Sequence, residues 1–390
     1  MSAANPKVFR TLNERAALEL LLAHGTLTRA ELELHTGLSK ASSAEVLRRL
    51  EKGALVRKAG HKPGNAGPAA QMWELDGSAA LVAGIDLTAR GVEVSVADLT
   101  GRVLVRHASQ APGEGADAVE FLTAAVETAA AEAGFVLGDL DQIVLGVPGV
   151  VDAEGVRLSQ AVQLSGWSHL DDLSDLRERL GPERFRLEND VNLVAIRELA
   201  EHEGSSFVLL WVGGGVGAGA VLNGALWRGV TGRGGEVGSV VVPDRVSRGR
   251  VYGPDGGPLG ALLGTRPIAE LAQAHGLTVE PTLQAVAALL ADAPPALLAD
   301  VASRVALGAT AAVGVLDPGM LVLGGPLCTA AGEPLRALVA ELLVPTGLAA
   351  VRVVTSRASG NAVLDGALCY ALDLTRERVF QAGTAGLTPS

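Results

Sequence analysis

Between Trp211 and Ser239 the chain reads WVGGGVGAGAVLNGALWRGVTGRGGEVGS, and no other stretch limits the fold so strongly. An apolar run, Phe207 to Val212, breaks into five glycines within seven residues. It resumes as Ala218 to Leu222 before a second glycine cluster from Gly232 to Gly235. The pattern predicts strand, glycine turn, strand, and a loop that ends on one carboxylate, Glu236. Glycines lack Cβ atoms, so backbone N–H groups there can approach an anion or a flat ligand closely. A tight β-hairpin in which glycine serves turn geometry alone fits the same residues. The rest of the chain has to decide.

With 390 residues there is room for two or three domains. Hydrophobic residues make up 48% and aromatics only 3%, so the core is built from Ala, Val and Leu. The apolar run Val305 to Leu316 falls short of the roughly 20 residues a bilayer-spanning helix needs. The opening MSAANPKVFR lacks the apolar centre of a secretory signal. A soluble cytoplasmic protein without membrane contact is expected. Cys328 and Cys369 are far apart and form no CxxC pair, so neither a disulfide framework nor a cysteine zinc site is indicated.

The net charge of −11 is unevenly spread. Residues 1–62 hold eleven Lys/Arg against six Asp/Glu, a net +5, which leaves −16 for the remainder. A basic head on an acidic body is the asymmetry of a DNA-binding module joined to something else. Val8, Leu12, Leu18, Leu21 and Leu22 recur at helical spacing and predict a helix over 6–24, stopped by Gly25. Thr28 and Glu31 form a capping box for a short helix to His35. Thr36-Gly37-Leu38 turn, and Ser39 caps a third helix to about Lys52. In that helix Val46, Leu47 and Leu50 face inward, while Lys40, Ser42, Ser43, Arg48 and Arg49 face out. Glu45 stands on the exposed side, where a basic residue is more usual.

Leu55 and Val56 begin a strand, Arg57 to Ala70 is a basic Gly/Pro-rich tip, and Gln71 to Leu75 returns. This is a winged helix-turn-helix. Ser39, Lys40, Ser42, Ser43 and Arg48 are the expected DNA contacts of the third helix, with Arg57, Lys58 and Lys62 along the phosphates. A small protein-binding helical module is the plainer alternative.

After the turn at Asp76-Gly77-Ser78 the sequence predicts a three-stranded antiparallel meander: Leu81 to Asp86, Gly91 to Asp98, and Val103 to Val105. A helix over 117–133 follows, then a buried strand Ile143 to Val147 ending in a Gly-Pro-Gly loop at Gly149. Strand Phe185 to Leu187 runs into Glu188-Asn189-Asp190-Val191-Asn192. Two carboxylates and two amides at a strand-to-helix junction are costly in a core unless bonded. An N-cap accounts for one of the four, and a polar ligand with Asp190 as general base is the sharper reading. Beyond the glycine stretch, helices are expected at 266–275, 280–292, 296–314, 331–343 and from Asn361. Strands are expected at Met320 to Leu323 and Val351 to Val354.

With these residues assembled, the chain resembles the ROK family (repressors, open reading frames, kinases), and its repressor branch most of all. LLxxGxLTRAELxxxTGLS at 21–39 resembles that branch's DNA-binding domain. GVPG at 146–149, SGW at 165–167, ENDVN at 188–192, GGGVGAG at 213–219, GGEVGS at 234–239 and LGG at 323–325 match in order. The resemblance implies an α/β chain: a winged helix-turn-helix domain over 1–76, then an actin-like ATPase fold of two lobes over 77–390. Lobe one would cover about 77–190 plus the C-terminal helix from 361, and lobe two about 191–360. It further implies a sugar or sugar derivative held in the cleft by Gly149, Asn189, Asp190 and Glu236, and a homodimer or homotetramer. In the family's kinases the residue at Asp190 deprotonates a sugar hydroxyl.

Departures from the family pattern qualify this. The kinases' first phosphate loop, D-x-G-G-T, is here Asp86-Leu87-Thr88-Ala89-Arg90, and the second loop has Gly214 in place of its hydroxyl residue. Phosphoryl transfer rests on positioning and charge neutralisation, so these losses count against ATP use. The family's zinc motif needs a histidine where Ser239 stands and a cysteine triplet downstream; no cysteine lies between 240 and 265, so no metal is expected. Two sugar contacts fall away at Ser239 and Gly260, which makes Asp244 to Leu263 a rebuilt loop. The expectation is therefore a non-catalytic transcriptional regulator, a repressor first, that binds operator DNA and senses a sugar without cofactor. An active sugar kinase using Asp190, and a ligand-independent dimer with a relic cleft, are the alternatives.

Overall fold

The computed structural model describes residues 6–62, 69–111, 113, 115–152, 154–164, 166–242 and 257–383. Part of the wing tip (63–68), Ser165 of the SGW triplet and most of the rebuilt loop (244–256) lie outside these. The chain divides into two compact units. The first is Met1–Gly146 with Leu164–Leu187 and Ala367–Ser390; the second is Val147–Gln163 with Glu188–Gly366.

The first unit opens with α1 (Pro6–His24), β1 (Thr26–Thr28), α2 (Arg29–Thr36) and α3 (Lys40–Lys52). The wing follows as β2 (Val56–Lys62) and β3 (Ala70–Leu75). Thr28 and Glu31 close the expected capping box, Gly37 ends α2 at φ 70°, and the Ser39 side chain accepts the Ser42 N–H. Strand β1 is an addition to the expected plan: Thr26 to Thr28 pair antiparallel with β3, giving a sheet ordered β1-β3-β2. Leu12, expected to face inward, is 55% exposed, because the buried face of α1 begins only at Glu14 and Ala17. The side chain of Val8 lies outside the described residues.

The expected boundary at residue 76 does not separate compact units. Leu18, Leu21, Leu32, Val46, Leu47 and Leu50 of the three helices share one core with Leu75, Ala80, Leu99 and Phe380. Apolar surface from the meander and from the last helix of the chain completes the head. The same unit carries β4 (Leu81–Thr88), β5 (Gly91–Asp98), β6 (Val103–Gln110), β7 (Ala116–Asp117), α4 (Ala118–Glu132) and β8 (Gln142–Val147). The segment 164–187, expected in lobe one, adds β11 (Trp167–Ser168), α5 (Ser174–Leu180) and most of β12 (Phe185–Asn189). The sheet order is β12-β8-β4-β5-β6, with the predicted antiparallel meander and β8 parallel to β4.

The second unit takes in the short hairpin β9 (Val150–Val151) and β10 (Leu158–Ser159), which the sequence placed in lobe one. Then come α6 (Asp190–Leu199), β13 (Phe207–Val212), β14 (Val216–Leu222), β15 (Ala225–Trp227), β16 (Val241–Val242) and β17 (Gly257–Pro258). Helices α7 (Thr265–Ala274), α8 (Leu283–Ala291) and α9 (Pro295–Leu316) lead to β18 (Met320–Gly324), α10 (Pro326–Leu343), β19 (Arg352–Thr355) and α11 (Ala362–Ala382). Helix α11 starts in this unit and ends in the other, where 361 was the expected join. The sheet is ordered β15-β14-β13-β18-β19, antiparallel through β13 and parallel beyond it.

Side chains of β13 alternate as the period of two requires. Phe207 and Leu209 pack with Val191, Val194 and Ala195 of α6. Val208, Leu210 and Val212 pack with the core of α7 to α10. Helix α9 runs 22 residues, longer than its apolar run suggested, and 61% of its apolar window is buried in the protein. Among the described residues it alone is long and apolar enough to cross a bilayer; its burial makes it a core helix.

Candidate functional site

The junction of β12 and α6 carries the polar cluster. Asn189 is the N-cap of α6: its Oδ1 accepts the Asn192 N–H at 3.0 Å, and its Nδ2 donates to Gly149 O at 2.9 Å. Gly149 has φ 133°, and a Cβ there would lie 2.8 Å from Ser159 O, so only glycine fits between the loop and the β9–β10 hairpin. Glu188 is 4% exposed. One of its oxygens accepts the Asn189 N–H and the Asn192 amide at 2.9 and 2.8 Å, and the other accepts Arg228 Nε at 2.6 Å.

Capping explained one polar residue of this run from sequence; the structure adds bonds within the protein for its neighbours. Glu188 is bonded within the protein, Asn192 donates its Nδ2 to Glu188 while its buried Oδ1 has no hydrogen-bond partner among the described residues, and the capping Asn189 uses both ends of its amide. Asp190, whose Oδ1 accepts the Val191 N–H at 2.8 Å, stands at the positive end of the α6 dipole. Arg228 and Asn192 were missed as site residues. The apolar-and-glycine stretch hid Arg228, because a lone arginine in a loop has no spacing signal.

Arg228 opens the loop that ends at Glu236. Three glycines seat this loop by close backbone approach. A Cβ would meet Val151 O at 2.0 Å from Gly232, Arg228 C at 2.7 Å from Gly234, and Ala218 O at 1.9 Å from Gly235. The loop thus lies against the strand that follows Gly149 and is tied to α6 through Arg228 and Glu188. Glu236 is half-buried, and no described protein donor bonds its carboxylate. Burial pushes its pKa above the ordinary range, partly offset by Arg233. Such a group gains by meeting hydroxyl or ammonium donors of a ligand.

The glycine turn itself is a three-residue hairpin, Gly213-Gly214-Gly215, closed by Gly213 N–H to Gly215 O at 2.8 Å. Gly214 has room for a side chain, whereas a Cβ at Gly219 would lie 2.6 Å from Ala195 Cβ, so glycine there lets α6 pack on β14. Gly238 and Gly260 pack backbone to backbone: a Cβ at Gly260 would reach Gly238 O at 3.2 Å. That contact occupies the position where the family pattern has a longer side chain. Ser239 is exposed.

In the first unit Asp86 to Arg90 is a two-residue hairpin turn, Ala89-Arg90, rather than an open glycine loop. Thr88 Oγ1 accepts the Arg90 N–H and donates to Gly91 O, and Trp167 Nε1 donates to Thr88 O at 3.0 Å. The Arg90 N–H and the Thr88, Arg90 and Gly91 carbonyls of this turn are thus bonded within the unit. Among the described residues no three His, Cys, Asp or Glu side chains converge on a point that could hold a metal ion.

The second candidate site is the head. Ser39, Lys40 and Ser42 are exposed at the start of α3. Ser43, expected to face outward, is 2% exposed and donates to Glu33 Oε1 at 2.7 Å. One helical turn from Ser39 its side chain points at α2, so it braces the turn and is withdrawn from the DNA-facing set. Arg48 holds Glu45 at 2.7 Å, Arg57 holds Glu74 at 2.8 Å, Lys58 holds Glu51 at 3.0 Å, and Lys62 holds Glu31 at 2.6 Å. The Lys62 bond and the Thr28 cap hold the Glu31 carboxyl down to about 2. The Glu45 puzzle resolves: it pairs with Arg48 and lies 3.6 Å from Arg49. Among the described residues Lys40 makes no ion pair.

Two α/β units, a glycine hairpin backed by a helix and a carboxamide-capped α6 define an actin-like fold of the sugar-kinase class. The chain belongs to the ROK family, whose model matches residues 82–373. It is 25% identical over 243 residues to a putative xylose repressor of Caldicellulosiruptor sp. (strain Rt8B.4), covering 61% of this chain and 60% of that one. It is 24% identical over 249 residues to the xylose repressor of Bacillus subtilis (strain 168), covering 62% and 63%. The chain thus spans just over three fifths of these relatives' length. A shorter match, 40% over 98 residues, relates it to the N-acetyl-D-glucosamine kinase of Pasteurella multocida (strain Pm70), covering 24% of this chain and 31% of that one.

Among solved structures, a ROK family transcriptional regulator described as a homolog of the E. coli MLC protein superposes with a TM-score of 0.69 at 19% identity. It covers 94% of this chain and 98% of its own, so the shared fold includes the head. The ROK hexokinase of Thermus thermophilus gives 0.61 at 28% identity, covering 76% of this chain and 99% of its own.

Proposed function

We propose that this protein is a DNA-binding transcriptional regulator, a repressor, whose ROK body senses a sugar and does not transfer phosphate. The observation that carries the reading is a fully capped winged helix-turn-helix sharing one core with the body of a ROK chain. Ser39, Lys40 and Ser42 meet the major groove, with Arg48, Arg57, Lys58 and Lys62 on the backbone. The effector lies against Gly149, Asn189, Asp190 and Glu236. The relatives named xylose repressors put D-xylose first among sugars to try. The protein acts in the cytoplasm as a homodimer, and sugar binding changes the spacing of its two heads. The two-residue turn at Ala89-Arg90 supports the loss of ATP use, and no cofactor is needed.

The test is thermal unfolding with a panel of pentoses, hexoses, amino sugars and sugar phosphates, followed by DNA binding with and without any stabilising sugar. A sugar-dependent rise in Tm that disappears in Glu236→Ala, together with weaker DNA binding, is expected. Salt-insensitive or absent binding to promoter DNA overturns the regulator reading. Asp190 at the head of α6 favours a second reading, an active sugar kinase. Sugar-dependent ATP turnover that is lost in Asp190→Asn would establish it.

A further inference from the structure

A groove of about 460 Å³ runs between the start of α2, the outer face of α3 and the wing. Its floor is apolar, with Ala30, Ala44, Leu47 and Trp73, and its rim carries Arg29, Arg48 and Lys58 against a single carboxylate, Glu51. Lys58 Nζ lies 5.5 Å from the centre of the Trp73 ring, which fixes one cation on the wing wall.

Arg29, on the opposite wall, is poorly satisfied. Its Nε sits 3.0 Å from Glu33 Oε1 but off the line a hydrogen bond needs, and it is buried with no hydrogen-bond partner. Glu33 Oε1 is already taken by Ser43 Oγ at 2.7 Å. A buried N–H of a guanidinium that is itself 43% exposed, on the rim of a groove lined by three cations and one carboxylate, points to an anionic ligand.

We propose that this groove is the seat of one deoxyribose-phosphate of the bound duplex, with Arg29 and Lys58 as its phosphate ligands. The inference rests on the regulator reading above. A helix in the major groove, about 12 Å wide, and a wing beside it straddle the one backbone strand that separates the grooves. That strand needs an apolar bed for its sugar and cations on both sides for its phosphate. The floor of Ala44, Leu47 and Trp73 supplies the first, and Arg29 facing Lys58 supplies the second.

Partner exchange accompanies binding. Lys58 leaves Glu51, 3.0 Å away and 40% exposed, which water then solvates. Arg29 leaves Glu33, which keeps its Ser43 hydroxyl. The Lys58 move replaces an ion pair exposed to water, and the Arg29 move one made through a buried Nε, by a charge-assisted bond to phosphate. Arg29 was absent from the residues expected to contact DNA, because at the first position of α2 it read only as part of a cap.

The experiment is fluorescence anisotropy of the full chain on a labelled 30-base-pair duplex of mixed sequence, repeated across a potassium chloride series. Arg29→Gln and Lys58→Gln are each expected to weaken binding and to reduce the slope of log K against log salt by about one. Arg29→Lys, which keeps the charge, is expected to hold the wild-type slope. Trp73→Ala is expected to lower affinity at unchanged slope. Thermal unfolding of each variant separates loss of the phosphate contact from loss of the fold, and Lys58, on the exposed wing, keeps the test open if Arg29→Gln unfolds. Wild-type slopes in Arg29→Gln and Lys58→Gln overturn this proposal and leave the regulator reading standing. No salt-sensitive binding by the wild type overturns both.

Discussion

Glu236 and Glu188 are two carboxylates of one site with opposite surroundings. Glu188 is buried and paired with Arg228; Glu236 is half-buried and waits for a donor. Burial raises the pKa of Glu236, so between its unfolded and folded values the native state binds more protons than the unfolded one. Its effect is therefore a loss of stability as pH rises through the carboxylate range, complete above the folded pKa. Glu236→Gln should remove that loss, raising the Tm of the unliganded chain by on the order of 1 °C at pH 7 and less at pH 4. The same substitution should abolish the sugar-induced shift, since an amide is a weaker acceptor than a carboxylate. Arg228→Ala should cost about 1–3 kcal/mol by stranding the Glu188 carboxylate, measured by urea unfolding. At the head, Ser39→Ala should cost about 1 kcal/mol through loss of the α3 cap, read in the same experiment.

The last helix, α11, is the element whose role most exceeds its sequence signal. Its end is built into the N-terminal head: Phe380, 4% exposed, joins the core of Leu18, Leu21 and Leu50. Glu377 takes Arg15 of α1 at 3.1 and 3.3 Å. Gly383 sits against Glu14, which pairs at 2.7 Å with Arg49 of α3. Its start packs within the second unit, where a Cβ at Gly366 would lie 2.1 Å from Leu193 O of α6. Phe380→Ala should destabilise by about 3–5 kcal/mol and weaken DNA binding, although no DNA contact is altered. Hydrogen exchange should then show α1 and α3 losing protection together. Unchanged protection in α1 would show that the head folds without α11.

For the molecule as a whole, under the proposed function, effector and operator binding are linked equilibria. A sugar that lowers DNA affinity by some factor must itself bind the DNA complex more weakly by the same factor, for regulators of this kind about 5- to 150-fold. Titrating the stabilising sugar into free protein and into the DNA complex should return matching ratios. A dimer should protect a pseudo-palindrome with half-sites about 10–10.5 base pairs apart, or a multiple.

Sequence by itself determined most of the longer elements. Caps at Thr28 and Ser39, period-two strands such as Phe207 to Val212, and the glycine-rich turns are local signals, because hydrogen-bonding and steric limits act within a few residues. The ordered motifs from Gly146 to Gly325 placed the chain in its family. Tertiary structure decided what those residues do for one another. Ser43 faced α2 instead of DNA, and Glu188 and Asn192 turned out to be internally bonded. Leu99 and Phe380 belonged to the head's core, across the expected boundary at residue 76. The Ser43–Glu33, Glu188–Arg228 and Phe380 contacts join residues 10 to more than 300 apart in the chain, whose meeting no local spacing records. Between Trp211 and Ser239 the division is plainest. Glycine content marked the stretch from the start, but only the packed backbone showed which glycines serve a hairpin, which admit α6, and which seat the loop that holds Glu236.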